Sequence, residues 1–301
     1  MDQEILEKYK KAGRICAEVK ESAVRQLKPG AKLADIAEFI ESEIIKLGGR
    51  PAFPVNISIN EFAAHCTPGY NDQAEIKPGD LVKIDIGAHV DGYIGDLAFT
   101  YCPEKNTENA KLINAAETLL ESAIKIIKPG ITVGEISRAI EEKSKELEVG
   151  LIVNLTGHTL NKFDFHGEPA IPNIGTDSGY EFKEGDVIAL EPFTCKTNGF
   201  VKDSSPVEIF RFLMDRPVRM PEARQILAMA RDEFNSLPFA KRWLYKKLSP
   251  IKVALALKQL EEIYAIESYP ALKEKDGKPI AQAEHTIIVA EKPVVTTKKE
   301  E

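Results

Sequence analysis

The sequence predicts an α+β fold of two similar halves facing one another across a pseudo-twofold axis, with a helical insertion late in the chain. Three observations carry that expectation. Lys28-Pro29-Gly30, followed by Leu33, Ile36, Ile40, Glu41 and Leu47, returns as Lys128-Pro129-Gly130, followed by Val133, Ile136, Ile140, Glu141 and Leu147. Lys77-Pro78-Gly79-Asp80, leading through an apolar run to Asp85, returns as Lys183-Glu184-Gly185-Asp186, leading to Glu191. The repeat fails after about residue 206, and the following stretch is helical in pattern with no counterpart in the first half. A duplicated unit packs most simply as a symmetric pair, so Asp85 and Glu191 are expected to meet in the middle. Val55-Asn56 likewise answers to Val153-Asn154, and His65 to His166.

Taken in order, the first 50 residues read as two helices. Leu33, Ile36, Ala37, Ile40 and Ile44 recur at helical spacing, Lys28-Pro29-Gly30 breaks the pair and Gly48-Gly49 stops the second. An irregular stretch, 52–68, ends at Pro68-Gly69. Leu81 to Val90 and Tyr93 to Cys102 are apolar-rich strands joined by Asp91-Gly92, the dipeptide of a type I′ turn. Residues 107–127 and 132–147 repeat the helical pair, and 151–158 and 185–193 repeat the strands. Pro221 opens a helix, and Ser249-Pro250 opens another that is expected to reach about Ile266. Asp276-Gly277 is read as the turn of a second hairpin with Ala281 to Ala290 as its returning strand. The domain expectation is a core split into 1–206 and 271–301, with 207–270 as a helical insertion subdomain; the Lys298-to-Glu301 tail is read as solvated.

Composition narrows the functional classes. A net charge of −7 and a pI near 5.5 give no global electrostatic case for nucleic acid or an anionic membrane. The basic runs Lys241-Arg242 and Lys246-Lys247 read as solvated helix faces. No window reaches the ~18 apolar residues of a membrane span, and the N-terminus is charged from its second residue, so a cytoplasmic protein is expected. The four cysteines, Cys16, Cys66, Cys102 and Cys195, form no C-x-x-C, which argues against a disulfide framework or a structural zinc site.

The first hairpin locates the chemistry. With Asp91-Gly92 as the turn, Val90 faces Tyr93, Asp85 faces Ala98 and Gly87 faces Asp96, so Asp85 and Asp96 share a sheet face as diagonal neighbours. Their Cβ atoms should lie ~7 Å apart, close enough to hold a common ion. A solvated sheet face is the ordinary reading of a strand aspartate. Here both sit inside apolar runs, where a buried like-charge pair is costly unless protonated or bound to cations. Glu191 joins by symmetry, and Glu284, in Gln282-Ala283-Glu284-His285-Thr286, is a further acid among apolar residues. Of the five histidines, His158 after Gly157 is the best nitrogen ligand. His65 and His166, repeat-related, should flank the site from opposite sides; His89 is expected to be exposed, and His285 to be structural. Four carboxylates and one imidazole suit two divalent cations, oxygen-rich in coordination and compatible with Mn, Fe, Co or Zn. Two such ions ~3.5–4 Å apart can share a water, lower its pKa and polarise a carbonyl, which is metal-assisted hydrolysis.

Asp85, Asp96, His158, Glu191 and Glu284, in that order, resemble the five metal ligands of methionine aminopeptidases of the pita-bread metallopeptidase family. The resemblance covers essentially the whole chain. Pro51 to His65, Lys83 to Asp96 and Ala283 to Val289, with the insertion before the last acid, are closest to the type 2 subfamily, and the absence of a charged N-terminal extension is archaeal-like. It implies a pita-bread fold and a cytoplasmic hydrolase that removes N-terminal methionine before a small second residue. Two divalent ions per chain are implied, cobalt, manganese, iron or zinc. Asp85 would chelate one metal, Asp96 and Glu284 bridge both, and His158 and Glu191 complete the second, with Glu191 also shuttling a proton. His65 would contact the scissile amide and His166 the substrate carbonyl, while Phe53 and His65 would help line the methionine pocket. Nascent polypeptide N-termini are the implied partners, with no membrane and no direct nucleic-acid function, a monomeric state, and transient ribosome association left open. Cys66 stands where relatives commonly carry tyrosine, and Gly167 follows His166 one residue earlier than is common. The rival readings are a Xaa-Pro aminopeptidase, which usually carries a separate N-terminal domain, and a non-catalytic pita-bread binding protein lacking the ligand set.

Overall fold

The structure, a computed structural model, describes residues 1–104 and 107–299. Helices α1 (Gln3–Val24) and α2 (Leu33–Lys46) cover a sheet whose long members are the strands Val82–Val90 and Tyr93–Tyr101, flanked by Arg50–Pro51 and Asn56–Ile59. Helices α3 (Thr107–Ile124) and α4 (Val133–Glu146) do the same for a five-stranded sheet ordered Val294–Val295, His285–Ile288, Val187–Leu190, Thr156–Asn161 and Asp164–Pro172. Each half has its own apolar core. Ile15, Val19, Ile36 and Ile40 meet Val82, Ile84 and Ile86 in one, and Leu119, Leu120, Ile136 and Ile140 meet Ile188, Leu190 and Ile287 in the other.

The repeat extends to single hydrogen bonds. Gly30 N–H donates to Ile76 O and Gly130 N–H to Phe182 O, both at 2.8 Å, with both glycines in the left-handed region at φ 83° and 86°. Lys77 N–H donates to Asp80 Oδ2 and Lys183 N–H to Asp186 Oδ2, both at 2.7 Å. The copies diverge at the second helix start. Thr132 and Glu135 close a capping box on α4, whereas Lys32 offers α2 no side-chain cap.

The first hairpin has the expected register, Val90 opposite Tyr93, Asp85 opposite Ala98 and Gly87 opposite Asp96. Asp91 and Gly92 both take positive φ, 53° and 90°, as a type I′ turn requires. On the back of this hairpin α1 approaches very closely. A Cβ on Gly95 would stand 2.6 Å from the backbone nitrogen of Gly13, so only glycine lets the helix lie against the strand that carries Asp96.

A third apolar cluster belongs to the block between Val207 and Ile266. α5 (Pro221–Ala228), a π-helical turn Met229–Glu233, α6 (Lys241–Leu244) and α7 (Pro250–Glu262) bring Ala223, Ile226, Leu257 and Leu260 against Phe210, Phe239 and Ile266. The block stands on a long antiparallel pair, Val201–Phe212 with Ile266–Glu274, whose strands continue past positions 206 and 270 with register irregularities between Ser204 and Ile209.

Several local expectations are corrected. The last long helix ends at Glu262, because Tyr264 turns to φ 55° and Ile266 already pairs in a strand. Asp276-Gly277 does turn the chain, but it joins different sheets instead of closing a hairpin: Ile266–Glu274 pairs with Val201–Phe212, Ala281–Gln282 with Phe193–Cys195, and His285–Ile288 with Val187–Leu190. His89 is 6% exposed, not solvated, and its Nδ1 accepts from Gly92 N–H at 3.1 Å. Arg242, read as part of a solvated run, is buried against Glu41 and Thr67. The tail is solvated as expected as far as it is described: Lys298 and Lys299 are exposed, with Lys299 in a surface ion pair with Glu21, and Glu300 and Glu301 lie outside the described residues.

Candidate metal centre

The two halves and the closing strands converge on one pocket of about 340 Å³, and its wall contains Asp85, Asp96, His158, Glu191 and Glu284. Asp85 and Asp96 come from the first hairpin, their carboxyl groups in hydrogen-bonding contact. His158 lies on Thr156–Asn161, Glu191 immediately after Val187–Leu190, and Glu284 between Ala281–Gln282 and His285–Ile288. Donor atoms of Asp96, His158 and Glu284 all lie within 4.8 Å of one another. His158 Nε2 is 3.6 Å from Glu191 Oε1 and 3.8 Å from Asp96 Oδ2.

The protonation logic points to a cation. Burial drives all four carboxyl groups upward: Asp85 to about 7, and Asp96, Glu191 and Glu284 well above the usual range, with repulsion from neighbouring acids adding to desolvation at the last three. Burial holds the His158 imidazole down at about 4. Its Nδ1 lies 3.2 Å from Thr159 O, which can only accept, so the proton sits on Nδ1 and the lone pair of Nε2 faces the acids. Asp96 Oδ1 and Glu284 Oε1 are buried with no hydrogen-bond partner among the described residues. A lone pair and unsatisfied carboxylate oxygens turned towards one another are a costly arrangement that a divalent cation satisfies, and oxygen donors with one imidazole suit such an ion.

Neighbouring groups hold these donors in place. Gln282 Nε2 donates to Glu191 Oε2 at 3.2 Å and to Glu284 Oε2 at 3.5 Å. Asp96 N–H donates to Thr286 Oγ1 at 2.7 Å, and the Thr286 hydroxyl donates back to Asp96 O at 2.9 Å. Gln282 and Thr286 were not singled out from sequence, although each lies two positions from Glu284, a spacing that strand alternation could have used.

His65 and His166 both line the pocket, but side by side, not on opposite sides. Their ring centroids are 6.2 Å apart, too close to hold a substrate between them. Phe53 stacks on His65 at 5.8 Å and meets His166 edge-on at 5.7 Å. Tyr269, which sequence reasoning missed, meets His65 at 5.2 Å and His166 at 5.8 Å; it sits on a strand opposite Ile209, a pairing with no local sequence signal. Burial keeps His65 near 4 and holds His166 well below the usual imidazole range, where the neighbouring imidazoles add to the effect, so both are neutral near pH 7. Cys66 is turned away from redox chemistry, its thiol pushed up to about 11 by burial. His285 is structural as expected, its Nδ1 2.8 Å from Thr297 Oγ1.

Residues 7–216 match Metallopeptidase family M24. The chain is 49% identical over 280 residues to a methionine aminopeptidase of Thermococcus onnurineus, covering 93% of this chain and 94% of that protein. It is 42% identical over 299 residues to a methionine aminopeptidase of Methanocaldococcus jannaschii, covering 99% and 100%. Among solved structures, the methionine aminopeptidase of Thermotoga maritima superposes with a TM-score of 0.71 at 24% identity, over 99% and 98% of the two chains. A thermophilic Arx1 superposes with a TM-score of 0.86 at 20% identity, over 100% and 92%. These likenesses in structure fix the architecture as the pita-bread fold.

Proposed function

The chain belongs to metallopeptidase family M24, and on that footing we propose that it is a methionine aminopeptidase of the type 2 class, removing the N-terminal methionine of nascent polypeptides whose second residue is small. The observation that carries the reading is the convergence of four buried acids and the Nε2 of His158 on one pocket, with Asp96 Oδ1 and Glu284 Oε1 left without partners. In this reading Asp85 would help hold one divalent ion, His158 and Glu191 would help hold a second, and Asp96 and Glu284 would contribute to both. Bound there, the ions would polarise the substrate carbonyl and make water reactive near neutral pH.

The chain's own groups do the rest. Gln282 occupies Oε2 of Glu191, which leaves Oε1 to take up and return a proton. His65 and His166, both neutral, contact the scissile amide and the substrate carbonyl. Phe53 and Tyr269 border the same space and exclude water from a flexible apolar side chain such as methionine. The domain reading is a split core of 1–206 and 271–301 with the 207–270 insertion narrowing the cleft; the separate apolar cluster of that block supports it. We place the enzyme in the cytoplasm, as a monomer; no described helix is long and apolar enough to cross a membrane.

The test is kcat/KM over Met-Gly, Met-Ala, Met-Ser, Met-Lys, Met-Phe and Ala-Pro peptides with Co or Mn supplied, alongside metal analysis of the protein. Cleavage of the first three, little of the next two, no reaction with N-acetylated substrates and two ions per chain are expected. Equal cleavage of Met-Ala and Met-Lys would refute the narrow second position, and a preference for Ala-Pro would move the chain to the Xaa-Pro branch.

A further inference from the structure

The basic run that reads as solvated is where the helical insertion grips the core. Arg242 Nη1 donates to Thr67 Oγ1 at 2.6 Å and to Pro68 O at 3.4 Å, while Nη2 donates to Glu41 Oε1. Trp243 Nε1 donates to the other oxygen of Glu41 at 2.8 Å, and Val55 N–H reaches Glu41 Oε1 at 3.4 Å. The Arg242 and Glu41 side chains are 9% and 11% exposed, so the cluster is nearly out of water. Burial raises the Glu41 carboxyl, and Arg242 opposes that rise.

Both chain segments held here lead into the substrate pocket. Val55 lies two residues beyond Phe53, and Thr67 two residues beyond His65. His65 itself has φ 58°, a left-handed conformation that a non-glycine residue keeps only when its surroundings impose it. Before it, Ala64 is paired with Leu272. After it, Cys66 O accepts from Ile57 N–H at 2.6 Å, and Thr67 and Pro68 are bonded to Arg242. The repeat supplies a comparison within the molecule. Glu141, the counterpart of Glu41, also accepts a backbone N–H, from Gly175 at 2.9 Å, but it pairs with Lys145 and is 26% exposed. The same acid in the first half is buried and serves as the anchor of the insertion.

We propose that Arg242 is a positioning residue for His65: its guanidinium fork, fixed by Glu41, holds Thr67 and Pro68 and thereby keeps the His65 ring aimed into the pocket. The proposal rests on the assignment of His65 to the substrate site. A buried ion pair adds little net stability compared with apolar packing, whereas a planar fork with several fixed acceptors sets direction. The insertion is thus part of the active site's alignment as well as a wall of its cleft.

Thr67→Val removes the acceptor at nearly constant volume, and Thr67→Ser keeps it. Thr67→Val and Arg242→Lys should lower kcat on a Met-Ala peptide by roughly 10- to 100-fold, the scale of a small misplacement of a reacting group, with metal content unchanged, and Thr67→Ser should restore wild-type kcat. In a His65→Ala background, Thr67→Val should cost nothing further. An equal loss with and without His65 would overturn the proposal, as would Thr67→Val and Thr67→Ser behaving alike. Amide hydrogen exchange of residues 65–70 gives a second reading independent of turnover: faster in Thr67→Val than in Thr67→Ser supports the clamp, and equal rates overturn it. A wild-type chain inactive on every methionyl peptide would sink the functional reading, and the exchange rates would still decide the clamp.

Discussion

Asp96 and Glu284 show at the residue scale why a single atom can decide the chemistry. Each leaves one carboxylate oxygen buried and unpartnered, and each faces the other acids of the pocket. Asp96→Asn and Glu284→Gln should therefore abolish turnover and lower metal content. In the metal-free protein the same substitutions should raise the melting temperature near neutral pH, since they remove an acid that the fold must keep protonated well above its unfolded pKa; near-native activity with full metal occupancy would contradict the assignment. His65→Ala and His166→Ala should lower kcat by ~10²–10⁴-fold while metal stays bound, the range for groups acting on a reacting amide or carbonyl; loss of metal would mean the wrong histidines were chosen. His89 illustrates a different kind of burial. Its pKa is pushed down to about 4 by desolvation, with Arg50 adding to the effect, from an unfolded value near 6.5. A depressed folded pKa means that stability present above pH ~6.5 is lost as pH falls towards 4, because the unfolded chain binds the proton more readily. Thermal melts of His89→Gln should therefore show a shallower fall in melting temperature over that interval than the wild type; parallel curves would show that His89 does not titrate as described.

Among the elements, the contact between α1 and the strand Tyr93–Tyr101 carries the most weight, because Asp96 sits on that strand directly after Gly95. A methyl group at Gly95 would meet the backbone of Ala12 and Gly13 at 2.6–2.8 Å, where no side chain can swing aside. Gly95→Ala should cost at least the ~1–3 kcal/mol typical of overpacking, read as a lower denaturant midpoint, and should weaken metal retention by displacing Asp96. Gly179→Ala is the control: its added methyl meets nothing within 4 Å, and the midpoint should stay put. The helix periodicities, the I′ turn and the hairpin register were legible because each is written in neighbouring residues. The false hairpin at Asp276-Gly277 was not, since a turn signal says that the chain bends and not which sheet each arm enters.

For the whole molecule, the pocket is a site of stored repulsion between two halves that a cation relieves. In the metal-free fold burial pushes the Asp85 carboxyl up to about 7 and its neighbours well above the usual carboxylate range, whereas unfolded carboxyls titrate near 4. A raised folded pKa gives stability that is full below pH ~4 and lost as pH rises through about 7, so the metal-free protein is weakened by this cluster at neutral pH. Metal binding must displace those protons. The rise in melting temperature produced by a fixed Mn concentration should accordingly grow as pH goes from about 5 to 7.5, with about 2.7 kcal/mol of stabilisation at a hundredfold excess over Kd. Taking the difference between metal-loaded and metal-free melts cancels remote groups such as His89 and His285. A metal increment independent of pH would mean that the acids are already ionised in the empty pocket.

The sequence by itself determined the duplication and the facing acids, because these depend on residues adjacent in the chain or related by a fixed offset. Asp85, Asp96, His158, Glu191 and Glu284 could be read from strand alternation, symmetry and family resemblance, and they line one pocket. Tertiary structure alone decided that His65 and His166 stand side by side, that Tyr269 joins them, and that Arg242 leaves solvent to bind Glu41 and Thr67. The Arg242–Glu41 pair joins residues 201 positions apart. No local periodicity encodes such a pair: whether an arginine is solvated or buried is settled by what the rest of the chain brings to it, and a buried carboxylate waiting on another helix outweighs the surface preference of the side chain.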